Sequence, residues 1–235
     1  MPTPFKIART CAVLATGEVG KLESDVVLAL RTHDYAEIRV DYLNEEDLEM
    51  ALKRVARYSG RLVLTLRSEE EGGRFLGSDE KYAYIVGMLA QVHPMLVDVE
   101  YRRYEALFDQ PIDSSKVLIS IHDFISTPSL QSLKELFRNM SELSDIVKIV
   151  TTANEPGDAA RIMALYEHTL MFGRDNTELI AFAMGVHGKR SRGRSGIYGP
   201  FTYVAFDKVV VPGMMTERQL QEECRRQVEE MKFEP

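Results

Sequence analysis

Lys148 stands in the middle of an apolar run, Ile146-Val147-Lys148-Ile149-Val150. A lysine in such company either snorkels from a strand end to water or serves as an amine nucleophile, made reactive by partial desolvation or by cationic neighbours. An amine condenses with a ketone to a protonated imine, which acidifies the adjacent carbon without a metal or an organic cofactor. That chemistry needs a base to collect the proton. His122 is the candidate, because it ends the apolar run 117–122 on the same strand face as Ser120, and imidazole is suited to proton transfer near neutrality. Asp123 follows it but points to the other face, and His33, His93, His168 and His187 fall in helical or loop contexts. A third group is the segment Gly188-Lys189-Arg190-Ser191-Arg192-Gly193-Arg194, which reads as a basic loop. It is either a solvated loop or an anion clamp, since arginine suits bidentate capture of a carboxylate. Glycine loops at Gly72-Gly73 and Pro212-Gly213 are two further segments able to close over a ligand, and no Walker or dinucleotide-binding glycine pattern is present.

These groups need elements to position them. Short apolar strands recur at 7–14, 35–42, 61–67, 95–100, 117–122, 145–150, 179–184 and 208–211, the last of them weak. Helical patterns lie between them at 45–59, 79–92, 129–139, 155–172 and 217–231, the final one with Thr216 and Gln219 spaced as a capping box. Strands alternating with helices imply a parallel α/β fold, open or closed. Strand faces favour closure. Alternate side chains point to opposite faces, so Glu37, Arg39 and Asp41 share a face, as do Thr65 with Arg67, Asp98 with Glu100, and Ser120 with His122. Five successive strands thus place polar or charged groups late in the strand, in apolar surroundings. In a barrel, residues at the carboxyl ends of strands reach the active-site mouth, so closure would gather all of them. Unpaired buried charge is costly, and Glu37, Asp41, Asp98 and Glu100 balance Arg39, Arg67, Lys148 and Arg192. The expected architecture is a (β/α)8 TIM barrel, one domain over residues 1–235.

Composition agrees with an enzyme of this kind. The chain has 235 residues, 45% hydrophobic and 28% charged, against about 250 for a typical barrel of this class. A net charge of −7 disfavours a nucleic-acid binder. Cys11 and Cys224 are too far apart in sequence to suggest a metal or disulfide framework. No apolar run approaches the ~20 residues that span a bilayer. The expectation is a cytoplasmic protein with no membrane or nucleic-acid partner.

In combination the motifs resemble the type I 3-dehydroquinate dehydratase family over nearly the whole chain. The matching pieces are Glu37-Ile38-Arg39-Val40-Asp41, then Arg67 through Glu71-Gly72-Gly73, then Asp98-Val99-Glu100. Ser120-Ile121-His122-Asp123-Phe124, Thr127-Pro128 and Val147-Lys148-Ile149 follow, and then the spaced set Met184, Gly185, Gly188, Ser191, Arg192 and Gly199. The resemblance implies a shikimate-pathway hydro-lyase of aromatic amino-acid biosynthesis that needs no cofactor or metal. In it Lys148 forms a Schiff base with 3-dehydroquinate, His122 is general acid and base, and Glu37 orients His122 and substrate. Arg39, Arg67 and Arg192 bind substrate, Arg192 through the carboxylate, and the family is commonly homodimeric. Where the family has a Ser-x-Pro-Gly-Gln loop, this chain has Val210-Val211-Pro212-Gly213-Met214. Two lost hydrogen bonds, at about 0.5–1.5 kcal/mol each, would weaken binding by about one to two decades. The change leaves open another class I Schiff-base lyase or aldolase on a related keto acid, or a binding protein descended from such an enzyme.

Overall fold

The computed structural model describes residues 8–107, 112–113, 116–172 and 177–231, apart from the side chains of 168–172. Ile7, at the start of the first expected strand, and the His168 side chain lie outside the described residues. Eight parallel strands form one sheet: β1 Arg9–Leu14, β2 Tyr35–Arg39, β3 Leu62–Thr65, β4 Leu96–Glu100, β5 Val117–His122, β6 Ile146–Thr152, β7 Glu178–Met184 and β8 Phe201–Ala205. Neighbours pair in chain order from β1 to β7, and β8 pairs with β1. Among the described residues no ladder joins β7 to β8, so the barrel is nearly closed, with one seam.

The helices are α1 Val19–Thr32, α2 Glu45–Val55, α3 Asp79–Ala90, α4 Leu130–Ser141, α5 Pro156–Phe172, α6 Lys189–Tyr198 and α7 Glu217–Met231. A 3-10 stretch, Tyr101–Leu107, follows β4. Alternation along the strands separates two apolar clusters. Outward residues such as Leu14, Ile38, Leu64, Val99, Ile119, Ile149 and Ala181 pack under the helices. Inward residues such as Cys11, Val63, Leu96, Leu118, Ile180 and Tyr203 fill the barrel. This is the physical basis for the sequence pattern: the helices cover the outer face, and the charged positions fall on the inner one.

Three features differ from the sequence expectation. First, β8 is Phe201–Ala205, not 208–211. The run Phe201-Thr202-Tyr203-Val204-Ala205 is rich in β-branched and aromatic residues, whereas Val210 and Val211 belong to a loop and pack inward over the barrel mouth. Second, β2 stops at Arg39, and Val40–Tyr42 forms a 3-10 turn. The turn brings the Asp41 carboxylate back onto Arg39, where it also accepts the backbone N–H groups of Arg67 and Arg74. Third, the expected basic loop is the first half of α6. Glycine costs about 1 kcal/mol in a helix interior, but here it serves packing: a Cβ on Gly193 would meet the Gln227 side chain at 2.4 Å, and one on Gly196 would meet Cys224 Sγ at 2.8 Å. These glycines admit α7 rather than hinge a lid. At α7 the capping box forms as its spacing predicts, with Thr216 N–H donating to Gln219 Oε1 and Gln219 N–H donating to Thr216 Oγ1.

Candidate active site

The carboxyl ends of the strands surround a small cavity of about 40 Å³. Lys148, His122, Glu37, Arg39, Arg67, Arg192 and Met214, expected from sequence to form one site, all line it. Parallel register explains part of the gathering: Ser120 is level with Lys148 and His122 with Val150, so base and amine stand one strand apart.

The β3–β5 side is a closed ionic web. Arg67 donates from Nη2 to Asp98 (2.7 Å) and from Nη1 to Glu71 (3.1 Å), Glu100 (3.2 Å) and Ser120 Oγ (3.0 Å). Ser120 Oγ–H donates to Asp98 at 2.6 Å, and the Ser68 N–H to Glu100 at 2.8 Å. Burial opposes the charge on Asp98, but Arg67 and Lys148 outweigh it and hold the carboxyl below its usual range. Burial likewise opposes the Arg67 charge, and Asp98, Glu100 and Glu71 outweigh it.

Lys148 Nζ lies 3.2 Å from Asp98 Oδ2 and 3.8 Å from Glu37 Oε1, and it sits 4.0 Å from the centre of the Tyr203 ring. Glu37 itself accepts the Thr65 hydroxyl at 2.8 Å. The carboxylate against His122 is that of Glu71, not Glu37: Glu71 Oε2 is 2.9 Å from His122 Nδ1 and accepts the His122 backbone N–H at 3.1 Å. Asp123 is no orienter either, since its carboxylate accepts the Ile125 and Ser126 amides. Glu71 reaches His122 because the loop after β3 folds back tightly. Gly72 takes φ 76°, and a Cβ there would strike the Phe124 ring. Burial pushes Glu71 up to about 8. Burial, with Arg67, Lys148, Arg39 and Arg192 nearby, pushes His122 well below 6.5. This setting favours the uncharged imidazole, and among the described residues Nε2 has no hydrogen-bond partner.

Arg192 differs from the other cations. It is buried, its guanidinium lies 4.2 Å from the centre of the Phe182 ring, and its Nε and Nη2 have no hydrogen-bond partner. Among the described residues no carboxylate lies within ion-pair distance of it. Burial alone lowers it from 12.5 to about 10. Ser191, its neighbour at the start of α6, ties the helix to β7 by accepting the Ala183 N–H and donating to Gly188 O. Arg39 is occupied, bonded through Nε and Nη2 to Asp41 at 2.8 and 2.7 Å. The remaining wall is apolar: Val13, Val150, Phe182 and Met184 from strands, with Val210, Val211 and Met214 from the β8–α7 loop. That loop docks on the end of β7, where Gly185 N–H donates to Pro212 O at 3.4 Å.

Sequence reasoning did not place Tyr203 or Phe182 in the site. Tyr203 was hidden by the misplaced eighth strand, although the alternation Phe201-Thr202-Tyr203 after Gly199-Pro200 carries the signal. Phe182 lies on the inner face of an expected strand, level with Val150.

The chain was compared with known families, proteins and structures. Residues 10–226 match the family model described as type I 3-dehydroquinase. A 3-dehydroquinate dehydratase of Pyrococcus abyssi is 41% identical over 193 residues, covering 80% of this chain and 84% of that protein. The enzyme of the same name from Methanopyrus kandleri is 33% identical over 212 residues, covering 87% and 94%. A crystal structure of type I 3-dehydroquinate dehydratase from Clostridium difficile superposes with a TM-score of 0.79 at 22% identity, covering 96% of this chain and 94% of that one, and shares the barrel. The chain belongs to the type I 3-dehydroquinase family.

Proposed function

We propose that the protein is a hydro-lyase that dehydrates 3-dehydroquinate to 3-dehydroshikimate through a Schiff base on Lys148, as part of the shikimate route to aromatic amino acids. The observation that carries this reading is one cavity holding three groups: a buried amine, an imidazole held against Glu71 and a buried guanidinium with no anionic partner among the described residues.

The substrate carboxylate pairs with Arg192, which supplies the charge that burial otherwise leaves uncompensated. The Lys148 ammonium passes one proton to Glu37 or Asp98, within 3.8 Å of Nζ, and the freed amine attacks the C3 ketone. The proton released from nitrogen and the one held by the carboxyl group both pass to the C3 oxygen, relayed by His122, so that it leaves as water, the nitrogen lone pair forms the iminium and His122 is neutral again. His122 then removes a C2 proton, and the C–H electron pair moves onto the iminium nitrogen to give an enamine. Return of that pair expels the C1 hydroxyl, which leaves as water with the proton from His122. Water adds at C3, Nζ departs, and the conjugated ketone is released. Tyr203, with its ring against Nζ, suits a cation at each iminium stage.

Borohydride added during turnover is expected to trap one substrate-derived adduct on Lys148, located by peptide mass spectrometry. Lys148→Ala is expected to lose the adduct and at least about a thousandfold in kcat, and full activity in that variant would sink the reading. A second reading, a lyase or aldolase on a related keto acid, is motivated by the apolar loop residues Val210 and Met214. It predicts turnover of another keto acid with no enone absorbance from 3-dehydroquinate. The family reading also makes the enzyme a cytoplasmic homodimer, which sedimentation of the purified chain tests.

A further inference from the structure

Outside the cavity, cations from three parts of the barrel mouth converge on one aromatic ring. Tyr42 lies half-buried in the turn after β2. The Arg39 guanidinium is 5.3 Å from its ring centre, that of Arg74 is at 3.8 Å, and the Lys208 ammonium is at 5.6 Å. Arg74 comes from the loop after β3 and Lys208 from the β8–α7 loop, and both are exposed. Backbone contacts fix the position of Arg74. Its N–H donates to Arg67 O and to Asp41 Oδ2, both at 3.2 Å, and a Cβ on the preceding Gly73 would strike Arg67 O at 2.0 Å. The same loop therefore carries Glu71 inward to His122 and Arg74 outward to solvent.

The charge around the ring is not balanced. Asp41 is taken by Arg39, and Glu45, which lines the adjoining groove with Arg74, pairs with Lys81. Among the described residues no carboxylate, that of Asp207 included, lies within ion-pair distance of Arg74 or Lys208. An aromatic face attracts a cation but has no net charge to cancel it. The chain as a whole carries −7 and repels an approaching anion, so a local excess of positive charge at the mouth has a direction. Arg39 belongs both to this cluster and to the cavity wall, which places the cluster at the entrance. The cavity itself, at about 40 Å³, is small beside the ~300 Å³ or more of an ordinary ligand pocket. A cyclic carboxylate therefore meets the protein outside before it is seated within.

We infer that Arg74 and Lys208, set against Tyr42, form an outer docking site for the carboxylate of the substrate, where the anion is captured before it reaches Arg192. The inference rests on the dehydration proposed above. Exposed charges act through water and are screened by salt, so the site speeds encounter and lowers KM without touching the reacting atoms. Charge is what matters here, and the exact shape of each cation is not, because neither side chain is held in a bidentate pair.

The test is kcat/KM for 3-dehydroquinate on the full chain, followed by product absorbance, as ionic strength rises from about 0.01 to 1 M and the Debye length falls from about 30 to 3 Å. Arg74→Met combined with Lys208→Met is expected to lower kcat/KM about tenfold at low salt, with the loss in KM, and to converge with the unaltered protein at high salt. Arg74→Glu combined with Lys208→Glu is expected to lose about a hundredfold at low salt. Arg74→Lys combined with Lys208→Arg, which keeps both charges, is expected to retain the salt dependence of the unaltered protein. A neutral double variant equal to the unaltered protein at low salt, or a loss that persists undiminished at high salt, overturns this inference alone. Failure of the unaltered protein to turn over 3-dehydroquinate overturns the dehydration reading, and this inference with it.

Discussion

Arg67 and Arg192 are both buried arginines at the mouth of the same barrel, and their surroundings are opposite. Arg67, at the end of β3, is held by Asp98, Glu100, Glu71 and Ser120. Arg192, on α6 beside the open seam, has an aromatic ring for company and two nitrogens without partners. The web around Arg67 is complete before any ligand arrives, so it fixes the geometry of Glu71, and through it His122. The Arg192 side is incomplete, and lowering its pKa from 12.5 to about 10 costs the fold about 3 kcal/mol at neutral pH. Because the shift of this base is downward, that cost is relieved only as pH rises through 10, or when an anion binds. One side of the site is built for rigidity, and the other leaves a buried charge uncompensated.

The comparison can be broken most decisively by stability measurements. Arg67→Met strands the buried carboxylates of Asp98 and Glu100, and urea unfolding is expected to show a loss of about 3–5 kcal/mol. A loss under about 1 kcal/mol would mean the web is not structural. Arg192→Met removes an unpaired charge, so its melting temperature is expected to hold or rise, while KM rises about a hundredfold, equal to about 2.7 kcal/mol. A lower melting temperature with unchanged KM would reverse the roles of the two arginines. The smallest effect is in pH. In the proposed reaction His122 must be neutral to act as base, and its pKa is depressed well below 6.5. The acid limb of kcat/KM is therefore expected below pH 6.5, shifting upward if Arg192→Met removes one of the cations that depress it. The same depression means that the fold loses stability as pH falls from 6.5 through the folded value. A limb above pH 6.5 would contradict the buried, cation-rich setting of His122.

Much of the site was legible because strand alternation is a local property of the backbone. Lys148, His122, Arg67 and Glu37 could be assigned to one face without knowledge of the fold, and one barrel brings that face together. The eighth strand was not legible, because two short apolar runs, 201–205 and 208–211, compete, and only pairing with β1 decides between them. Nor was α6, whose glycines and basic residues read as a loop until α7 is seen to fill the space that they leave. The apolar Val210 and Met214 were legible as facing the site, because they stand where the resemblance expects a serine and a glutamine; that Val211 also lines the cavity was not.

The sequence by itself determined which side chains share a face and what chemistry an amine, an imidazole and an arginine make available, because these follow from residue type and a two-residue period. Tertiary structure decided which charges are paired. Glu71 meets His122 across a separation of 51 residues, and α6 buries Arg192 where, among the described residues, no carboxylate lies within ion-pair distance. Pairing depends on distances of a few ångströms and on exclusion of water. Neither is encoded in any one segment, and both arise only when distant elements close around the same space.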